Sequence, residues 1–570
     1  MYCRGADGFM GEDFANLDAT QWSQLEPLYQ EFLNREINSP KDLEEWLLEL
    51  GRFDAYVGET GSMLYVNMTC DTEDEEVKNS YFDFVENVEP ELAKIGDLLN
   101  RKLAESPYAD GLDAQEYKVL LRDTRMDLAL FRKENIPLGT ELTKLGVRYK
   151  EITAAMTVEF DGEERTMQQM GKYLQVSERD VREAAYKCVG ERRFEDANEI
   201  DQIYEKMIAL RHQVSQNAGY ENYRDYIFDA KHRFDYSPVD CETFHDAVET
   251  ICVPLMRDID ETRRKNLALE ALRMWDLSHD VHGRDPLKPF TEVEEMVAGT
   301  SRMFHKLSPK LGIFFDSLRD GKSLDLDSRK GKAPGGYQLQ RDHSRKPFIF
   351  MNATGLQRDL ETMVHEAGHA FHSIYADDLA LVDYRSAPLE FCEVAAMSME
   401  MLTYDFLGEF YSNEDANRAI REHLEGIVSI LGWIATIDAF QHWIYTNPDH
   451  SREERHAKWL ELGERFGSVL DWSGFEDWRK VGWQKQLHLF SYPFYYIEYG
   501  IAQLGALQMW LQYRSNSEDA LENYAKSMRL GGSRPLPELF EAAGMNFDFG
   551  RKTVAGLIDA VREELAVLPE

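Results

Sequence analysis

Residues 354–376 read TGLQRDLETMVHEAGHAFHSIYA, and whether this stretch is a helix decides how the rest of the chain is read. His365 and His369 share one face only on a helix, where residues four apart are neighbours. Thr354 followed three residues later by Gln357 predicts a capping box, and Asp359 and Glu361 place negative charge near the first turn, where the helix dipole favours it. With Leu360 at zero and about 100° per residue, Val364, Ala367, Phe371 and Ile374 fall within about 40° of it, while His365, His369 and Glu366 fall at about 140°, 180° and 240°. The helix therefore has one stripe for a core and another for chemistry. Two imidazoles with a carboxylate between them suit a divalent cation and a general base, with Glu366 activating a bound water. His372 stands about 10 Å along the axis from His365, and a zinc–nitrogen bond is about 2 Å, so His372 is expected to contact a neighbouring group or shape the pocket. Tyr375 holds the position ten residues after His365, which excludes the ligand pattern that needs a histidine there.

Zinc requires a third protein ligand and an open position. Ser386-Ala387-Pro388 predicts a helix start, with Pro388 in the first turn. Glu390, Glu393 and Glu400 then lie within a sector of about 80°, with Met397 among them. Leu389, Cys392, Ala396, Met399 and Leu402 form the other side. Carboxylates on so apolar a helix are costly to bury unless they meet a cation or donors. Spacing leaves both Glu390 and Glu393 open as the ligand.

Working outward, apolar residues at helical spacing predict helices over 79–104, 179–217, 242–274 and 291–311. Asp161-Gly162 between Thr157–Phe160 and Arg165–Met167 predicts a hairpin. Residues 332–336, KAPGG, read as a loop, and Tyr337–Arg341 and Phe348–Met351 as two short strands. The expected class is mainly α: a large helical two-lobed protein with a small sheet beside the zinc helix. It divides into a helical part, 1–320, carrying the hairpin, and a catalytic part, 321–570, carrying the sheet, the motif helix and the C-terminal helices.

The chain has 570 residues, 43% of them hydrophobic and 12% aromatic, and a net charge of −39. That composition excludes disorder, and the charge argues against a nucleic-acid partner. Cys3, Cys70, Cys188, Cys241, Cys252 and Cys392 are scattered without a CxxC pair, which predicts a reducing, cytoplasmic location. Residues 1–7 contain no apolar leader. Gly426–Phe440 is too short and, with Asp438, too polar to span a bilayer, and is expected to be a buried core helix.

The runs at 332–337, 346–352, 365–372 and 393–400 together resemble the oligoendopeptidase F branch of the thimet oligopeptidase and neurolysin family, from about residue 60 onward; the first fifty residues stay unplaced. The resemblance implies a deep enclosed channel admitting short unstructured peptides. It also implies one zinc ion held by His365, His369 and Glu393, with Glu400 behind them. The family has a histidine before a tyrosine-rich stretch, here His488 followed by Tyr492, Tyr495, Tyr496 and Tyr499. One unbroken helix would place His488 and Tyr499 about 16 Å apart, so a break at Pro493 is expected, with His488 in a loop and Tyr496 and Tyr499 on a helix. His488 with Tyr499, then Tyr496, would donate to the oxyanion; Tyr492 and Tyr495 would line the substrate site. Gly335 and Gly336 would let a peptide backbone approach, beside Phe348–Met351 as an edge strand. The expected activity is zinc-dependent endopeptidase cleavage. A zinc carboxypeptidase, or a peptide-binding protein with a non-catalytic metal, are the competing readings.

Overall fold

The computed structural model describes residues 17–329, 331–333 and 335–569; the leader reading at residues 1–7, Cys3, and Pro334 of the expected loop lie outside the described residues. The chain is mainly helical and divides into two units, each drawn from three stretches. The first comprises residues up to 129, 289–410 and 505–547, and the second 130–288, 411–504 and 548 onward. The division expected at residue 320 is therefore corrected. The change of composition there marks the passage from helix into sheet inside the first unit.

In the first unit, helices Trp22–Asn34, Pro40–Cys70 and Glu89–Ala104 close a core of Leu25, Tyr29, Phe32, Leu43, Trp46, Phe53 and Leu99. The helix expected over 79–104 is two, Glu75–Asn87 and Glu89–Ala104, because Pro90 cannot donate the N–H that a continuous helix needs. Pro309 likewise separates Val293–Leu307 from Pro309–Asp320. The small sheet has three strands, not two. Phe348–Ala353 is central, with Leu324–Asp327 parallel on one side and Tyr337–Leu339 antiparallel on the other. Phe348 and Phe350 bury one face against Val66 of the long N-terminal helix.

The central strand leads into the motif helix, Gln357–Ala376, which packs along the acidic helix, Leu389–Leu402. Phe371 is fully buried against Phe304 and Phe314. Leu360, Val364 and Ala367 are buried as expected, and so are Met363 and Ala370, so the motif helix is enclosed on more than one side. Leu389, expected on the apolar side of its helix, is exposed.

In the second unit, Thr157–Phe160 and Glu163–Thr166 form the hairpin, with Asp161 and Gly162 at φ 57° and 76°. These angles belong to the two-residue turn that matches strand twist. The expected 179–217 helix is Arg179–Glu195 and Ala197–Asn217. The region read as 242–274 is Pro238–Ala247, one wide turn over Val248–Cys252, and Val253–Asn266; Pro254 removes a donor at that turn. Gly426–Phe440 lies within helix Asn413–Thr446, and 72% of that helix's most apolar stretch is buried. By length and composition this helix could cross a membrane; its burial is that of a core helix.

The motif helix and the acidic helix approach closely at Gly368. A Cβ there would lie 2.5 Å from Ala396 Cα and 2.8 Å from Ala395 O. Backbone cannot yield as a flexible side chain does, so Gly368→Ala is expected to force the two helices apart at a cost of about 1–3 kcal/mol. Calorimetry should show a lower unfolding midpoint; an unchanged midpoint would mean that the contact is not held tightly.

Candidate functional site

The motif helix begins at Gln357, and its N-terminus is not closed by the Thr354–Gln357 box. Asp359 Oδ2 instead accepts from the backbone N–H groups of Thr354, Gly355 and Leu356 at 2.6, 2.9 and 3.0 Å. A carboxylate that accepts from several amides in the first turn satisfies donors the helix would otherwise leave unpaired. Pro388 falls one position ahead of the first turn, at the cap of the acidic helix.

These two starts set the phase of the facing helices. His365 Nε2 lies 3.4 Å from Glu393 Oε2, and His369 Nε2 lies 3.8 Å from the same oxygen. The three donor atoms are mutually within 4.8 Å. Ligands at 2.0–2.2 Å around a tetrahedral ion stand roughly 3.3–3.6 Å apart, so this donor set fits a zinc-class cation. Glu390 is also buried, but it is Glu393 that faces both imidazoles. Glu400 Oε1 bonds His365 Nδ1 at 2.6 Å, which turns Nε2 of that ring toward Glu393 and fixes its orientation.

Burial shapes the charge states here. It pushes the Glu366 carboxyl up to about 7, Glu393 adding to the effect and His365 opposing it. Burial also lowers His369 to about 4, against the pull of Glu393. For His365 burial opposes the charged ring, but Glu393 and Glu400 overcome it and hold the ring well above the usual range. His372 is neutral, lowered to about 3 by burial, and packs edge-on against Phe391 at 6.3 Å. Tyr375 sits edge-on to Phe314 with Lys310 over its ring.

The strand Phe348–Met351, expected at the sheet edge, is the central strand; the edge beside the motif helix is Tyr337–Leu339. The Gln338 backbone amide lies near enough to Glu366 to favour its charged form, so this edge runs past the general-base candidate. Gly335 holds φ +108°, and a Cβ on it would meet nothing within 4 Å, which leaves open space beside a backbone only glycine adopts easily. At Gly336 a Cβ would come within 3.2 Å of Thr362 Cγ2. Lys332 anchors this loop: its buried Nζ donates to Asp325 Oδ1 and to the carbonyls of Asp325, Asp327 and Met351 at 2.5–3.0 Å.

In the second unit the chain does break at Pro493, but His488 lies in a short helix, Leu487–Ser491, not a loop. Phe494 takes φ +61°, and helix Tyr496–Ser515 follows. The break folds the tyrosines back around the imidazole: ring centres of Tyr496, Tyr495, Tyr499 and Tyr492 lie 5.0, 5.3, 6.0 and 6.1 Å from that of His488. Trp433 Nε1–H donates to Gln486 Oε1 at 3.3 Å, so the Gln486 amide presents its NH₂ to His488 Nδ1 at 2.9 Å. That pairing leaves the His488 proton on Nε2. Burial pushes the Tyr496 phenol upward.

Several supporting residues escaped the sequence reading. Buried Arg211 donates to the Leu489 and Phe490 carbonyls at 2.8 and 2.5 Å. Arg233 donates to the Phe494 carbonyl at 2.5 Å and to Glu498 at 2.7 Å. Both pin the His488–Tyr499 segment, yet nothing local separates either arginine from a surface one. Gln486, two residues before His488, had the better signal, since an amide beside a candidate donor histidine is a natural tautomer setter.

Against known proteins, the profile described as peptidase family M3 matches residues 172–556, and that of the peptidase M3 N-terminal domain matches 15–131. The latter covers most of the first fifty residues, which the motifs left unplaced. The chain is 23% identical over 443 residues to oligopeptidase PepF of Bacillus subtilis (strain 168), covering 73% of this chain and 62% of that relative. It thus spans less than two thirds of this curated relative's length. Among solved structures it is similar to PZ peptidase A with an inhibitor, with a TM-score of 0.91 and 28% identity over 96% of this chain and 97% of that one. A Bacillus anthracis str. Ames structure described as an oligoendopeptidase F gives a TM-score of 0.87 and 26% identity over 99% of each chain. With a profile match over more than half its length, the chain belongs to peptidase family M3.

Proposed function

We propose that this protein is a zinc-dependent oligoendopeptidase that hydrolyses internal bonds of short unstructured peptides in the cytoplasm. The observation that carries the reading is the convergence of His365 Nε2, His369 Nε2 and Glu393 Oε2 beside the buried carboxyl of Glu366. A zinc ion held by these three residues supplies a Lewis acid for the scissile carbonyl and brings the pKa of a water toward neutrality. Glu366 takes the proton of the attacking water and delivers it to the leaving amine. Glu400 keeps the His365 ring aligned. Extended substrate backbone pairs with the Tyr337–Leu339 edge, where Gly335 and Gly336 admit close approach. On the family resemblance, His488 through Nε2–H and Tyr499, with Tyr496, donate to the oxyanion, and Tyr492 and Tyr495 contact the peptide. The net charge of −39 argues against a nucleic-acid partner, and peptides are the partners assigned to it.

A peptide of about eight residues, blocked at both ends and internally quenched, separates the endopeptidase reading from the carboxypeptidase one. Cleavage that a chelator stops and zinc restores is expected; cleavage of unblocked peptides alone would favour a carboxypeptidase. Glu366→Gln should lower kcat by about 10²–10⁴-fold with the metal retained in elemental analysis, and full activity in that variant would sink the mechanism. Glu400→Gln should lower zinc affinity or activity about 10–100-fold, measured by competition with a chromophoric chelator. Tyr499→Phe should lower kcat by about 10²–10³-fold with little change in KM; an unchanged kcat would remove Tyr499 from the oxyanion role.

A further inference from the structure

A second cluster of ligand-type side chains lies within the second unit, on residues that the proposed reaction does not use. Helix Pro238–Ala247 carries Cys241 and His245 one turn apart, and helix Asn413–Thr446 carries Asp438 and His442 one turn apart. The two helices pack together so that all four side chains are buried: Cys241 and Asp438 are 0% exposed, His245 3% and His442 6%. The Cys241 Sγ, an Asp438 carboxylate oxygen and a His442 ring nitrogen lie within 4.8 Å of one another.

The hydrogen bonding is incomplete in a directed way. His245 Nε2 pairs with Asp438 Oδ2 at 2.9 Å. Asp438 Oδ1 has no hydrogen-bond partner among the described residues, and neither has Nδ1 or Nε2 of His442. His442 Nε2 approaches Asp438 Oδ2 to 3.2 Å without the geometry of a hydrogen bond. A buried carboxylate oxygen and a buried imidazole left unbonded side by side are what a network of hydrogen bonds alone avoids. Aromatic rings line the cluster: Phe494 and Phe228 stand 5.3 and 6.0 Å from the His442 ring, and Phe466 6.1 Å from that of His245. A thiolate, a carboxylate and a neutral imidazole sum to two negative charges, which one divalent cation balances in an apolar setting.

We propose that Cys241, Asp438 and His442 form a second, structural metal site for a zinc-class divalent ion, with His245 orienting the Asp438 carboxylate. Mixed thiolate, imidazole and carboxylate donors favour zinc over magnesium or calcium, and an imidazole bonded to a ligating carboxylate is the usual outer support of such sites. The ion would tie helix Pro238–Ala247 to helix Asn413–Thr446, next to the wide turn at Val248–Cys252.

Cobalt(II) distinguishes this site from the one at His365, because only a thiolate ligand gives the strong near-ultraviolet sulfur-to-cobalt charge-transfer band. Full-length protein stripped of metal and reloaded with cobalt(II) is expected to bind two ions per chain and show the band. His365→Ala/His369→Ala should keep one ion and the whole band. Cys241→Ala should lose the band and one ion, and Asp438→Asn or His442→Gln should weaken cobalt binding at this site at least tenfold. One ion per chain without the band in the unsubstituted protein would overturn the proposal, as would a band that survives Cys241→Ala. The unsubstituted protein and the His365→Ala/His369→Ala variant leave the buried cluster untouched, so they decide the question even if Cys241→Ala fails to fold.

Discussion

The distance between two helix backbones at Gly368 governs the geometry of the candidate active site. The motif helix carries both imidazoles and the acidic helix carries the third donor, so the place where Glu393 Oε2 ends up depends on how closely the helices approach. At the contact, a hydrogen atom occupies the space where any side chain would strike the Ala396 backbone. The residues facing this contact are small for the same reason: Ala395 and Ala396 on one helix, Ala367 and Gly368 on the other. The geometry of the donor set rests on the absence of atoms as much as on their presence.

Around that contact, carboxylates are put to different uses by their surroundings. Asp359 collects three amide donors and caps a helix. Glu400 is spent on a histidine ring. Glu366 is buried deeply enough that its neutral form is favoured, although His365 opposes this. Similar acids thus serve as an anchor, an aligner and a proton carrier because burial and donor count differ from one to the next.

Features set by neighbouring residues were legible in the sequence. The hairpin follows from Asp161-Gly162, whose angles few other pairs adopt. The motif helix follows from its spacing, and the break before Tyr496 from Pro493. The two candidate histidine ligands were equally readable, since i,i+4 histidines must share a helix face, whereas spacing left the third between Glu390 and Glu393. What the sequence hid was non-local. Leu324–Asp327 is four residues long and parallel to its partner, so no turn announces it. Its presence moved Phe348–Ala353 from the edge to the centre of the sheet. The Thr354–Gln357 box lost to Asp359, because three amides on one carboxylate outcompete a single hydroxyl. Arg211 and Arg233 showed no local sign of being buried, as their acceptors lie more than 250 residues away. The boundary near 320 failed because each unit is woven from three separate stretches.

That weaving bears on synthesis. The first unit is completed only by residues 505–547. From that last stretch the Tyr524 hydroxyl donates to the Ala395 carbonyl, and Phe540 lies beside Phe391 and Gly505. Both contacts brace the helix that carries Glu393. A nascent chain that has released its histidine motif, and even its third donor, still lacks the support that holds them together. The ribosome must deliver most of the polypeptide before the centre can be set, so the young chain cannot assemble its hydrolytic machinery early. A late stop codon would likewise leave every ligand encoded and the geometry unmade.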